Sequence, residues 1–161
     1  MAERLDALED LYRRRYRVFL RVATAIVGDD QSGRDVVHDG FVLAVRNRER
    51  LREGHALELW VWRIVVNEAR KRRRRETRAL RFDSEAGSYG PAELDVDVRA
   101  VIAALPERQR LALFLRYYAD LDYASIATAL GIKPGTVAAT LSAAHAALRT
   151  ELEAERCPVQ T

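Results

Sequence analysis

Apolar residues recur three and four positions apart along almost the whole chain, and no run alternates convincingly with period two. That pattern confines the chain to packed helices. The first helix is expected from Leu5 to Val27, with Leu8, Leu11, Tyr12, Phe19, Val22 and Ile26 facing inward and Gly28-Asp29-Asp30 as its stop. A second is expected over Ser32–Arg48, with Val36, Val37, Phe41 and Ala44 inward, and a third over Ala56–Leu80. Further helices are expected over 93–104, 107–119, 122–130 and 135–153, with Pro106 at a first turn, where its missing N–H costs nothing.

Between them, Arg81 to Pro91 carries Asp83, Ser84, Gly87, Ser88, Gly90 and Pro91, the composition of a flexible tether. The expected fold class is therefore all-α: two small helical domains, 1–80 and 93–161, joined by a linker over 81–92. Charge follows the same division. Residues 1–92 hold 20 basic and 15 acidic side chains, whereas residues 93–161 hold seven and nine. The halves then differ electrostatically, which favours different roles. Free in solution the two domains are expected to be mobile about residues 81–92, and a partner would be needed to fix their arrangement.

The C-terminal half contains Asp122-Tyr-Ala-Ser-Ile-Ala-Thr-Ala-Leu-Gly-Ile-Lys-Pro-Gly-Thr-Val137. Ile126, Ala127 and Leu130 form one buried face, and small Ala127 admits a close helix crossing. Gly131 suits a tight turn needing positive φ, while Ile132, Val137 and Leu141 anchor a second helix. This is the arrangement of a DNA-binding helix-turn-helix, whose second helix enters the major groove. A helical hairpin that merely packs is the competing reading. The anchors in register favour DNA, yet the outward positions are mainly Ala, Thr, Ser and His. Base and phosphate contacts normally use Arg, Lys, Asn or Gln, and here only Lys133 and Arg149 are cationic. This half alone is expected to bind DNA weakly.

The N-terminal half ends in Trp60-Val-Trp-Arg-Ile-Val-Val-Asn-Glu-Ala, then six consecutive cations: Arg70, Lys71, Arg72, Arg73, Arg74 and Arg75. On a helix they surround the cylinder, so this end is expected to project into solvent or against a polyanion. Such a cluster is a strong, sequence-blind nucleic-acid anchor. Favouring the helix dipole needs fewer cations. Trp60 and Trp62 are expected in the core rather than as base-stacking platforms.

Other function classes find less support. His38, His55 and His145 are scattered, with no catalytic arrangement, phosphate loop or metal-ligand spacing. Cys157 is the single cysteine, so neither an internal disulfide nor a zinc site is expected. No window reaches the roughly 18 apolar residues of a membrane helix, and the first thirty residues lack a signal peptide's apolar stretch. The expectation is a cytoplasmic protein without enzymatic activity, cofactor, metal or membrane insertion.

Two sets of segments resemble the extracytoplasmic-function (ECF) sigma factors of bacterial RNA polymerase. Leu11-Tyr-Arg-Arg-Arg-Tyr16, Asp35-Val-Val-His-Asp-Gly-Phe-Val42 and Trp60 to Asn67 look like region 2, the promoter-melting domain. Leu105-Pro-Glu-Arg-Gln-Arg110, Leu115-Arg-Tyr-Tyr118 and the helix-turn-helix look like region 4, which reads the −35 element. The resemblance implies a sigma factor that binds core RNA polymerase and promoter DNA, with an anti-sigma factor as a further partner it allows. Asp35, His38, Asp39, Val42 and Arg46 would meet the β′ clamp helices. A loop containing Arg50, Arg52, Glu53 and His55 would take a base flipped from the −10 element. Arg63, Asn67 and the cations from Arg70 to Arg75 would hold the −10 strands. Region 4 would sit on the β flap and present Lys133, Gly135, Thr136, Ala138, Ala139, Thr140, Ser142, Ala143 and His145 to the −35 groove.

The chain departs from the family pattern at several of these positions. Members usually carry Lys or Arg where Ala138, Thr140, Ala143 and His145 stand, and His38 and Gly40 replace Gln and a larger residue. Two other readings of the same segments are a sigma-like decoy that occupies polymerase without initiating, and a stand-alone helix-turn-helix regulator.

Overall fold

Gly28 ends the first helix in a left-handed conformation, φ 97°, and the chain reverses there at once. Asp29 caps the next helix: its Oδ1 accepts a hydrogen bond from the Ser32 amide at 2.8 Å, satisfying one of the orphan donors of the first turn. The structure is a computed structural model that describes residues 2–52, 56–80 and 96–156. Among these are seven α-helices: α1 (Ala2–Val27), α2 (Asp30–Arg46), α3 (Leu57–Leu80), α4 (Val96–Ala104), α5 (Glu107–Tyr117), α6 (Tyr123–Leu130) and α7 (Pro134–Arg156). A short 3-10 turn, Arg48–Arg50, follows α2. Strands are absent from the described residues, and no described helix is long and apolar enough to cross a membrane.

Helices α1, α2 and α3 pack on one another around aromatic rings. Phe19 stacks on Trp62, and meets Phe41 edge-on with centroids 5.3 Å apart; Tyr12 meets Phe41 edge-on at 4.9 Å. Trp62 is fully buried and Trp60 half-buried against the same core. Gly40 lets α2 approach α3 closely, because a methyl built there would lie 2.8 Å from Val65 Cγ2 and 3.3 Å from its Cα. Gly40 is thus matched to Val65.

In the C-terminal half, α5, α6 and α7 share a core of Leu111, Phe114, Leu115, Ile126, Val137, Leu141 and Ala144. Asp122 caps α6 by accepting from the Ser125 amide at 2.8 Å. Gly131, at φ 67°, closes α6: its N–H reaches the Thr128 carbonyl at 3.3 Å, and the Ile132 N–H reaches Ala127 at 3.0 Å. These paired bonds form a Schellman motif, which fixes the corner between the two helix-turn-helix helices.

The linker expected over 81–92, and residues 93–95 of the expected fourth helix, lie outside the described residues. The halves nevertheless touch directly. Helix α3 packs along α6, and α1 meets α5. An arrangement expected to wait for a partner is thus already furnished with contacts inside the chain.

Candidate nucleic-acid interface

Arg63, Asn67, Arg70 and Arg74 stand four, three and four residues apart on α3 and share one face. That face turns toward the C-terminal half. The Arg63 guanidinium lies beside Gly131, 3.8 Å from the position of an added Cβ. Arg70 donates to Glu107 Oε2 at 3.1 Å, and Arg74 approaches the same oxygen at 3.7 Å. The Arg70 and Glu107 side chains keep only 28% and 32% of their exposure. Burial alone would raise the Glu107 pKa, but the Arg70 hydrogen bond and the charges of Arg70, Arg74 and Arg110 outweigh it. The carboxyl is held below its ordinary value.

The other cations separate by face. Arg72 points to the opposite side, where its Nε donates to Glu76 at 2.8 Å and its guanidinium lies 3.7 Å from Asp35 and within reach of the Ser32 hydroxyl. Lys71 bonds Glu68 at 2.9 Å. Arg75 is exposed and Arg73 half-buried. The expectation that this helix end projects into solvent is met by Lys71, Arg74 and Arg75, which are exposed, whereas Arg70 and Arg72 are partly covered by α5 and α2. Acidic side chains of the chain itself meet Arg70, Lys71, Arg72 and Arg74.

Two further contacts join the halves. Arg15 donates to Glu58 Oε1 at 2.9 Å and to the Ala119 carbonyl at 3.4 Å. The Arg21 guanidinium sits 5.0 Å above the Tyr118 ring, a cation–π geometry. None of Arg15, Arg21, Glu58 or Glu107 was singled out from the sequence. Glu107 carried only the signal of an acid in a helix's first turn.

Lys133, just before α7, and Gly135, Ala138, Ala139, Ser142 and Ala143 on it are exposed, and Thr136 is half-buried. Thr140 is a correction. It is only 9% exposed, and its hydroxyl donates to the Thr136 carbonyl at 2.6 Å, so it faces the core rather than a groove. His145 is half-buried and its Nε2 lies 2.7 Å from the Tyr117 hydroxyl, so α5 holds the ring.

Helices α1 and α2 form an apolar groove of about 500 Å³ lined by Leu5, Leu8, Tyr12, His38, Phe41, Val42, Val45 and Arg46. His38, Val42 and Arg46 of the expected polymerase set thus meet at one groove. Asp39 is exposed nearby on the same helix, whereas Asp35 turns to Arg72 and Gln31. Arg50 and Arg52 are exposed, while Glu53 and His55 of the expected base pocket lie outside the described residues.

Comparison with known proteins matches both halves of the chain. The family model described as Sigma-70 region 2 matches residues 11–79, and that described as Sigma-70, region 4 matches residues 95–148. The RNA polymerase sigma-H factor of Pseudomonas aeruginosa is 29% identical over 154 residues, covering 83% of this chain and 80% of its own. The RNA polymerase sigma-E factor of Streptomyces coelicolor is 28% identical over 163 residues, covering 96% and 90%. The ECF RNA polymerase sigma factor SigM of Mycobacterium tuberculosis is 28% identical over 147 residues, covering 88% and 75%. Among solved structures, the sigma factor RpoE in complex with the anti-sigma factor NepR from Bartonella quintana aligns with a TM-score of 0.68 at 22% identity, over 90% of this chain and 98% of that one. CnrH in complex with the cytosolic domain of CnrY aligns with a TM-score of 0.71 at 21% identity, over 93% and 90%. These two likenesses concern the fold.

Proposed function

This chain belongs to the ECF family of RNA polymerase sigma factors, and from that premise we propose how its two halves divide the work of starting transcription. It binds core RNA polymerase and directs promoter recognition and initiation. Residues 1–80 act as the −10 and clamp-binding domain, 81–92 as the linker and 93–161 as the −35 and flap-binding domain. The chain works in the cytoplasm and performs no chemistry of its own, since bond formation belongs to the polymerase.

The observation that carries the reading is the single stripe of Arg63, Asn67, Arg70 and Arg74 on α3. A helix offering three guanidiniums and an amide along one line can follow successive phosphates of a strand. Arg50 and Arg52, exposed in and just after the 3-10 turn that follows α2, receive an unpaired base. The α1–α2 groove, apolar and edged by Arg46, receives the β′ clamp helices. Region 4 contributes less from α7 than a cationic recognition helix would. Its exposed Ala138, Ala139 and Ala143 offer apolar contacts such as thymine methyls. An anti-sigma factor is a further partner, one that would hold the protein away from polymerase.

The stand-alone regulator leaves the region 2 half without a role. The decoy is separated by experiment. Abortive transcription with bacterial core polymerase on a library of promoter fragments should give initiation that depends on this protein at a shared −10 sequence. Stable polymerase binding without initiation would make it a decoy.

A further inference from the structure

We propose that Arg72 is a positioning residue for promoter DNA and not a contact: it fastens the end of α3 to α2, so that Arg70 and Arg74 stand in line on the opposite face. The inference rests on the reading of the Arg63, Asn67, Arg70 and Arg74 stripe as the DNA face.

The end of α3 needs fastening. Val61, Trp62, Val65, Val66 and Ala69 anchor the helix in the core, but no described side chain of α3 beyond Ala69 is buried. About three further turns follow without an apolar anchor. Like charges one turn apart, Arg70 with Arg74 and Lys71 with Arg75, repel and weaken the helix there. Against this stands one network. The Arg72 Nε donates to Glu76 at 2.8 Å, and its guanidinium lies 3.5 Å from the Ser32 hydroxyl and 3.7 Å from Asp35. The Ser32 hydroxyl donates in turn to the same Glu76 oxygen at 3.4 Å, and Ser32 is only 7% exposed. The Glu76 hydrogen bond and the charges of Glu76, Asp35 and Asp29 outweigh partial burial and raise the Arg72 pKa above its ordinary value. A cation so engaged is a poor phosphate ligand and a good brace. Glu107 meets the stripe itself, whereas Ser32, Asp35 and Glu76 hold the helix from behind and leave the stripe's donors alone.

The test uses the full chain assembled with core polymerase on a fluorescent promoter fragment, titrated with sodium chloride. Arg72→Gln should weaken binding about three- to tenfold, as the aligned conformation becomes scarcer, with the log–log salt slope unchanged. Arg74→Gln should weaken it and lower the slope by about 0.9. Glu76→Ala should also weaken binding, although it removes a negative charge from the DNA-binding helix. In the free chain, Arg72→Gln and Glu76→Ala should speed amide hydrogen exchange over residues 70–78 at least about fivefold and leave 61–69 unchanged; general loss of stability would speed both. A slope lowered by about one unit in Arg72→Gln would make it a phosphate contact and overturn the proposal. So would tighter or unaltered binding by Glu76→Ala, or unaltered exchange over 70–78. Arg70→Gln with Arg74→Gln separates the two readings. If that pair leaves promoter binding intact, the DNA assignment of the stripe fails. If it weakens binding while the Arg72 and Glu76 variants do not, only the brace fails.

Discussion

Phe19 of α1 and Trp62 of α3 stack with ring centroids 4.0 Å apart and planes inclined by 29°, and neither ring retains any exposure. The pair joins α1 to α3 at the centre of the region 2 half. Trp62→Ala would leave a cavity that this crowded centre cannot close. The expected cost is about 3–5 kcal/mol, read by urea unfolding. Trp60→Ala, removing a half-buried ring, should cost clearly less.

Gly40 sits where α2 and α3 nearly touch, so Gly40→Leu must part the two helices at Val65. Overpacking of this kind costs about 1–3 kcal/mol. Thermal unfolding should show a lower midpoint, and polymerase binding should fall with it because α2 carries the groove residues.

Helix positions were legible in the sequence to within a few residues, because an apolar stripe repeats along each. So was the helix-turn-helix corner, since only glycine is at ease at the φ that Gly131 adopts. The buried state of Trp62 followed from its spacing, since Trp60 and Trp62 are two residues apart and point to different sides of the helix. The Arg70–Glu107 pair did not, since its members lie 37 residues apart and such a pairing leaves no periodic trace. Thr140 is a different case. Three residues after Val137 and one before Leu141, it falls on the inward side of α7 by helix geometry alone, and resemblance to cationic recognition helices drew it outward.

That distinction predicts opposite outcomes for two neighbouring arginines. Ala139→Arg adds a cation to the exposed side of α7 and should tighten promoter binding by the polymerase complex, roughly two- to tenfold at low salt. Thr140→Arg forces a charge into a buried site and should destabilise the fold instead. Mobility shifts and unfolding curves, run on both, check the pair.

Acid should loosen the molecule at defined places. Glu107, Asp29 and Asp122 all have pKa values below the ordinary carboxylate range in the folded chain. For Asp29 the Ser32 amide is the main cause, and for Asp122 the hydrogen bond with Ser125. Groups lowered in this way contribute stability that is complete above their unfolded values and is lost as pH falls through the folded ones. Stability should therefore hold steady from pH 7 to about 5 as far as these groups act, and decline below about 4. Asp29→Ala should remove its share, about 1 kcal/mol of cap energy, at neutral pH and flatten the acid limb.

The seating of the cation run has a consequence for how promoter binding responds to salt. Six adjacent free cations would shed many condensed ions from DNA, with a log–log slope of about 0.9 per phosphate neutralised. Here Arg70, Lys71, Arg72 and Arg74 already have carboxylates for company. A phosphate that displaces Glu107 exchanges one fixed anion for another, and the Glu107 side chain then gathers small cations of its own. The slope should be shallower than the cation count suggests. Glu107→Gln should steepen it by about one unit in a titration of sodium chloride.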